Sequence, residues 1–166
     1  MFFRYTFSTM GLLTFVVVLL FGSIAVGQTK QNTANIEREI SEFMNRWNNA
    51  ISTGDAATIR SSYVSDNRFN WFEDGKLTYN SREQIIDKLK SFPKGTKIET
   101  RLQDLRLTRM TDELVFGSAA FDTRIQMPTG SFSFAGVFTA IIEKDGGQWR
   151  FVSGHTSSLP AGDSSR

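Results

Sequence analysis

A chain of 166 residues, 40% hydrophobic and 22% charged, is long enough for one packed domain and too apolar for a disordered one. Nineteen basic residues face seventeen acidic ones, leaving a formal charge of +2 that is dispersed along the chain, which argues against a nucleic-acid surface. The absence of cysteine excludes disulfides, thiolate metal sites and a cysteine nucleophile.

The opening stretch, MFFRYTFSTMGLLTFVVVLLFGSIAVGQ, carries one cation, Arg4, before an uncharged apolar run from Gly11 to Phe21. Small residues follow, and Ala25-Val26-Gly27 fits a leader-peptidase site. The expectation is a signal peptide over 1–27, cleaved after Gly27, and a periplasmic or extracellular protein. An uncleaved anchor is the competing outcome, although the apolar core is short for a hydrocarbon layer of about 30 Å. Membrane contact is then confined to the leader before cleavage. No cysteine follows the apolar run and the chain holds no N-x-S/T sequon, so neither a lipid anchor nor N-glycosylation is expected.

Residues 28–34 form a short mature N-terminal segment, and one domain is expected over 35–160. Ile36, Ile40, Phe43, Met44, Trp47 and Ile51 trace one helical face, with Glu37 and Glu39 in the first turn. Gly54 suits the left-handed position after that helix, and Asp55 can cap a second one carrying Ile59 and Tyr63. Asp74-Gly75 between two aromatic-apolar runs predicts a tight hairpin. Ser81 and Gln84 have the spacing of a capping box for a third helix, whose Ile85, Ile86, Leu89 and Phe92 face inward before Pro93 stops it.

Four long strands follow, over 96–109, 113–126, 131–144 and 148–157, separated by turn residues. Alternation places Phe132, Phe134, Phe138 and Ile142 on one side of their strand. On the last strand it places Trp149, Phe151, Ser153, His155 and Ser157 together. It also sets Lys97, Arg101 and Arg109 opposite Arg106. Residues 161–166 are expected to fray. The class is α+β: three helices on one strongly curved antiparallel sheet, in the order ααββαββββ, with a conical hollow between helices and sheet.

That order resembles the nuclear transport factor 2-like superfamily, and within it the SnoaL-like and ketosteroid-isomerase-like domains. Three stretches carry the likeness: WNNAISTGDAATIRSSYVSD, SREQIIDKL and GGQWRFVSGHTSSLP. The resemblance implies a cone with a pocket at its open end and a homodimer formed through the sheet. It does not imply one activity, because the fold hosts many.

The isomerase branch places an oxyanion tyrosine seven residues before the Gly-Asp break, a basic aspartate eight residues after the second-helix tyrosine, and a third acid further on. Here those positions are Trp47, Trp71 and, by a looser count, Thr139. None can do that chemistry: an indole donates one hydrogen bond and is no acid at neutral pH. The chain's one histidine, His155, could pair with Asp122 as general base and orienter. The plainer alternative makes His155 a rim or structural residue and Asp122 the surface partner of Arg124. A single histidine among scattered carboxylates suggests no metal site, and no cofactor is implied.

Three functions stay open. The first is a binder of a small hydrophobic or aromatic molecule, with Trp47, Tyr63, Trp71, Phe116, Phe134 and Phe138 lining the hollow. The second is an isomerase, cyclase or hydrolase using His155. The third is a homodimerisation module whose cone is filled by Trp47 and Trp71.

Overall fold

A computed structural model of the chain describes residues 33–159. The expected leader, most of the segment 28–34 and the expected tail lie outside the described residues. Two compact units divide the chain, Met1–Arg38 and Glu39–Arg166. Of the first, the described part is the opening of helix α1, which runs over 33–53. The second holds the rest of α1, helices α2 (Ala56–Ser61) and α3 (Arg82–Lys90), and six strands. These are β1 (Asn70–Glu73), β2 (Lys76–Tyr79), β3 (Lys97–Arg109), β4 (Leu114–Met127), β5 (Gly130–Asp145) and β6 (Gln148–Ser158).

The local signals act as physical chemistry requires. Gly54 takes φ +71 after α1, a conformation costly for residues with a Cβ. Asp55 then caps α2: its Oδ1 accepts from the amides of Ala57 and Thr58, both at 3.1 Å. Asp74 and Gly75 turn the β1–β2 hairpin with φ +49 and +80, the double positive φ of a type I′ turn. The capping box at α3 forms only in part. Ser81 makes no side-chain cap bond, and Gln84 Oε1 accepts from the Asn80 amide instead, at 2.8 Å. Tyr63 lies beyond the end of α2, in a parallel bridge to Phe151.

The strands form one sheet in the order β2-β1-β6-β5-β4-β3. It is mixed rather than wholly antiparallel. β1 runs parallel to β6, with Trp71 beside Gly154 and Phe72 beside His155. The hairpin signal had specified only how β1 meets β2. The segment from α2 to β1 enters alongside the last strand in the same direction, through Val64 N–H to Phe151 O at 3.1 Å and Phe151 N–H to Ser62 O at 2.8 Å.

One face of the sheet, here the inner face, packs on the helices. Phe151 is fully buried there, and its ring lies 5.0 Å from Phe43, 5.3 Å from Trp47, 5.4 Å from Tyr63 and 5.8 Å from Trp71. Such tilted and edge-on ring pairs contribute roughly 0.5–1.5 kcal/mol each beyond their area. Val115, Ala119, Phe121, Thr123 and Ile125 of β4 and Phe138, Ala140 and Ile142 of β5 extend the same buried layer.

Besides a register shift in the β1–β2 hairpin, a bulge on each of two long strands resets the faces. On β6, Ile142 pairs with Phe151 but Ile141 pairs with Ser153, so Val152 is an extra residue. Beyond it the inner positions are Gly154 and Thr156, and Ser153, His155 and Ser157 face outward. On β3 the register slips between Gln103 and Arg106, where Asp104 takes φ +51. Arg106 therefore joins Lys97 and Arg101 on the outer face, and Arg109 crosses to the other. Across the β3–β4 ladder Glu99 lies opposite Arg124 and Arg101 opposite Asp122, so outer-face charges alternate in sign.

Candidate functional site

The inner aromatic cluster is the natural place to look for chemistry, and both of its indole donors are already in use. Trp47 Nε1 donates to the Tyr63 hydroxyl at 2.9 Å, and Trp71 Nε1 donates to Thr156 Oγ1 at 3.0 Å. Neither indole N–H is left to polarise a substrate oxygen. Burial pushes the Tyr63 hydroxyl well above the usual phenol range, against the opposing effect of the Trp47 bond. Trp71 is 8% exposed and fills the space over Gly154, where even one methyl group would meet its ring.

His155 stands outside this cluster. It lies beside Phe72 on the outer face, and its Nε2 is 3.2 Å from Ser157 Oγ. Asp122 shares that face but not that place. Its Oδ2 accepts from Gln103 Nε2, and it sits opposite Arg101. His155 pairs with Thr139, Thr139 with Ser118, and Asp122 is four residues further along β4. With strands about 4.8 Å apart and a rise of about 3.4 Å per residue, the two side chains are roughly 16 Å apart. The base–orienter pair is therefore not formed. Of the expected ligand residues, Trp47, Tyr63 and Trp71 come together in the aromatic cluster. Phe138 is buried on the inner face, and Phe134 lies on that face but is 37% exposed. Phe116 pairs with Ile141 and points outward, because β4 alternates without a break from the buried Val115.

Towards the start of β5 the inner face stays uncovered. Phe132 is 47% exposed and stacks on Phe134 with ring centroids 6.2 Å apart and planes 21° from parallel. Phe134 in turn meets Phe121 edge-on at 5.9 Å. Phe121 can lean this way because its neighbour across the ladder is Gly136, where a Cβ would strike the ring. Beside this aromatic shelf lies a polar row: Thr100 Oγ1 and Thr123 Oγ1 are 2.9 Å apart, and Thr123 pairs with Phe134. Asn48 of α1 donates through Nδ2 to Thr100 O at 2.7 Å.

A cleft of about 430 Å³ lies between α1, α2 and the β5–β6 turn. None of the expected ligand residues lines it. It is polar, and its groups hold one another: Glu39 Oε2 accepts from Lys144 Nζ at 2.7 Å and from Trp149 Nε1 at 2.9 Å. Among the described residues, no group of three or more His, Cys, Asp or Glu side chains is placed to hold a metal ion.

A family model for the SnoaL-like domain matches residues 40–162. The chain belongs to the SnoaL-like family. No curated protein matches it. Solved structures do resemble this SnoaL-like domain. A nuclear-transport-factor-2-like protein of unknown function from Shewanella oneidensis is 16% identical, with TM-score 0.59, covering 73% of this chain and 98% of that one. A hexachlorocyclohexane dehydrochlorinase, LinA type 2, is 16% identical with TM-score 0.65, covering 78% and 88%. A conserved protein from Planctomyces limnophilus is 14% identical with TM-score 0.68, covering 76% and 98%. At these identities the likeness is one of fold.

Alternation in SFSFAGVF already put Phe132 and Phe134 on one face, so that part of the shelf was readable in the sequence. Asn48, Thr100 and Thr123 were missed. Their juxtaposition depends on how α1 lies against β3, and nothing local to any of them signals it.

Proposed function

We propose that this SnoaL-like domain is an exported, non-catalytic binder of a small aromatic or apolar molecule, held against the inner face of the sheet over Phe121, Phe132 and Phe134. The observation that carries it is the half-exposed ring ladder of Phe132 and Phe134, on the face that elsewhere is buried. Exposed aromatics in contact with one another, next to a few polar groups, have the composition of a ligand site. A sheet curled around α1 would turn that shelf into the wall of the conical hollow. The spent indole donors and the separation of His155 from Asp122 favour binding over turnover. Export rests on the leader read over 1–27, with the mature chain beginning at Gln28.

Calorimetric titration with naphthalene and 2-naphthol is the test. Saturable binding should weaken at least fivefold in Phe134→Ala while His155→Ala leaves it unchanged. No saturable binding of either probe, or equal binding after Phe134→Ala, sinks the proposal. For export, intact mass of the secreted protein should begin at Gln28, and a retained Met1 refutes it.

A second reading has its own observation. Phe72, Phe116 and Val137 are 39%, 37% and 50% exposed on the outer face, around His155. We infer that two copies associate through this face. Light scattering at micromolar concentration should give twice the monomer mass, and Val137→Glu should halve it. A monomer at that concentration overturns the inference.

A further inference from the structure

In the middle of the outer face, an uncharged patch surrounds one ionisable side chain. Leu77, Phe72, His155, Thr139 and Ser118 stand directly opposite one another on β2, β1, β6, β5 and β4, so His155 is the middle residue of that row. Along its own strand Ser153 and Ser157 flank it, and they pair with Ile141 and Val137 of β5. Phe116 lies beyond Ile141. Leu77, Phe72, Val137 and Phe116 are exposed, so apolar surface lies on both sides of the imidazole.

The charged groups stand at the borders of this patch. Asp74 is at the hairpin tip, where its carboxylate accepts from the Ser158 amide. Arg106 continues the row on β3, opposite Ser118, three strand spacings of about 4.8 Å from His155. Asp122, further along β4, accepts from Gln103, and Glu143, further along β5, is paired with Arg68. The hydrogen-bond partner of His155 is a neutral hydroxyl, that of Ser157.

Two identical copies joined through one face are related by a two-fold axis lying in the plane between them, and a residue on that axis faces its own counterpart. An axis through the middle of the patch passes over His155 whichever direction it takes in that plane. A second copy presents the same apolar, uncharged surface, whereas a strongly charged partner would find no opposite charge there. We propose that the two His155 imidazoles meet at the centre of the sheet-face dimer, and that the dimer holds at neutral pH and comes apart in acid. The inference rests on the outer-face association read above.

Facing sheets pack about 10 Å apart, which brings two such side chains into contact. A neutral imidazole has one donor and one acceptor, so two of them can meet without penalty. Protonated, each ring can only donate, and two like charges lie together among apolar side chains with no anion beside them. The separated copies therefore take up protons more readily than the pair. Protons then oppose association, and the dissociation constant rises as pH falls through the range in which histidine titrates.

Light scattering and sedimentation at about pH 7.5 and about pH 5.5 test this. The dissociation constant of the native dimer should rise about tenfold or more at the lower pH, and that of His155→Gln should change less than about twofold. Glu73, whose carboxyl is raised by burial, lies on the inner side of β1, and any effect of its titration would survive in His155→Gln. The chain has no cysteine, so His155→Cys supplies a single thiol. A short bifunctional thiol reagent should join two copies through it, and adding Val137→Glu should abolish the link. A monomer at pH 7.5 removes the outer-face dimer, and the His155 assignment falls with it. A dimer of unchanged affinity at pH 5.5, or one whose weakening in acid persists in His155→Gln, overturns the assignment and leaves the face as an interface. A dimer in which His155→Cys does not cross-link does the same. Should a variant not fold, the native protein at the two pH values still decides.

Discussion

Phe151 sits at the meeting point of four rings, fully enclosed. Phe151→Ala should cost about 3–5 kcal/mol in urea unfolding, as other buried Phe truncations do, while His155→Ala on the outer face should stay within about 0.5 kcal/mol. The contrast tests the β6 bulge directly, since strict alternation would put both side chains on one face. Glu73 gives the opposite kind of residue effect. Burial, reinforced by the neighbouring Asp74 charge, raises its carboxyl above the ordinary value of 4.5. A carboxyl with a raised folded pKa contributes stability that is fully present below 4.5 and is lost as pH rises through the folded value. Glu73→Gln should therefore unfold at higher urea than the native protein at pH 7, and the difference should disappear below pH 4. A variant no more stable at pH 7 refutes this assignment. Tyr79 acts in the alkaline range: burial and the Glu73 charge push its hydroxyl up to about 12, so its contribution persists below pH 10 and fades towards 12.

Among the elements, β3 and β6 show where sequence periodicity stops being a guide. Each contains one residue more than its partner's ladder, and past that point every side chain changes face. Asp104 marks the β3 bulge with φ +51, a conformation that Asp tolerates and a β-branched residue does not. Asp104→Val should raise local strand propensity and still destabilise the protein by about 1–2 kcal/mol, because the left-handed backbone decides. A neutral or stabilising result would mean that the bulge can be ironed out. Helix α1, the capped start of α2, the Asp74-Gly75 hairpin and the four long strands were legible, because each depends on residues within one or two turns of one another. The bulges were not. A bulge is chosen by the fit of two strands far apart in sequence, and neither Val152 nor Asp104 carries the glycine that would have advertised it. The parallel entry of β1 beside β6 was hidden for the same reason. So was the site. Phe116 and Phe134 look alike in a hydrophobicity profile, and only strand pairing sends one outward and the other to the shelf.

At the scale of the whole molecule the sheet is not closed, and its two edges are protected differently. β3 is thirteen residues long, studded with Lys97, Arg101, Arg106 and Arg109, and tied to α1 through Asn48. β2 has four residues, three of them exposed, and reaches the rest of the sheet only through β1, itself four residues long. The hairpin is pinned at its tip: Asp74 Oδ1 accepts from the Ser158 amide at 2.8 Å, and the Asp74 amide donates to Thr156 O at 3.0 Å. Local opening should therefore begin at the hairpin and leave the long β3–β4–β5–β6 ladders intact. Hydrogen exchange should show amides of 70–79 exchanging well before those of 114–127. Asp74→Gly keeps the positive φ of the turn but removes the carboxylate that holds Ser158. It should speed exchange in 70–79 by on the order of tenfold, the equivalent of about 1.4 kcal/mol, without changing 114–127. Uniform acceleration across both segments would mean that hairpin and ladder open together, and that the edge is no weaker than the centre. Because Trp71 stands in that hairpin and covers Gly154, its loosening is also the route by which the aromatic interior would open. A ligand held only on the Phe121–Phe132–Phe134 shelf should leave exchange at 70–79 untouched while slowing it at 121–134.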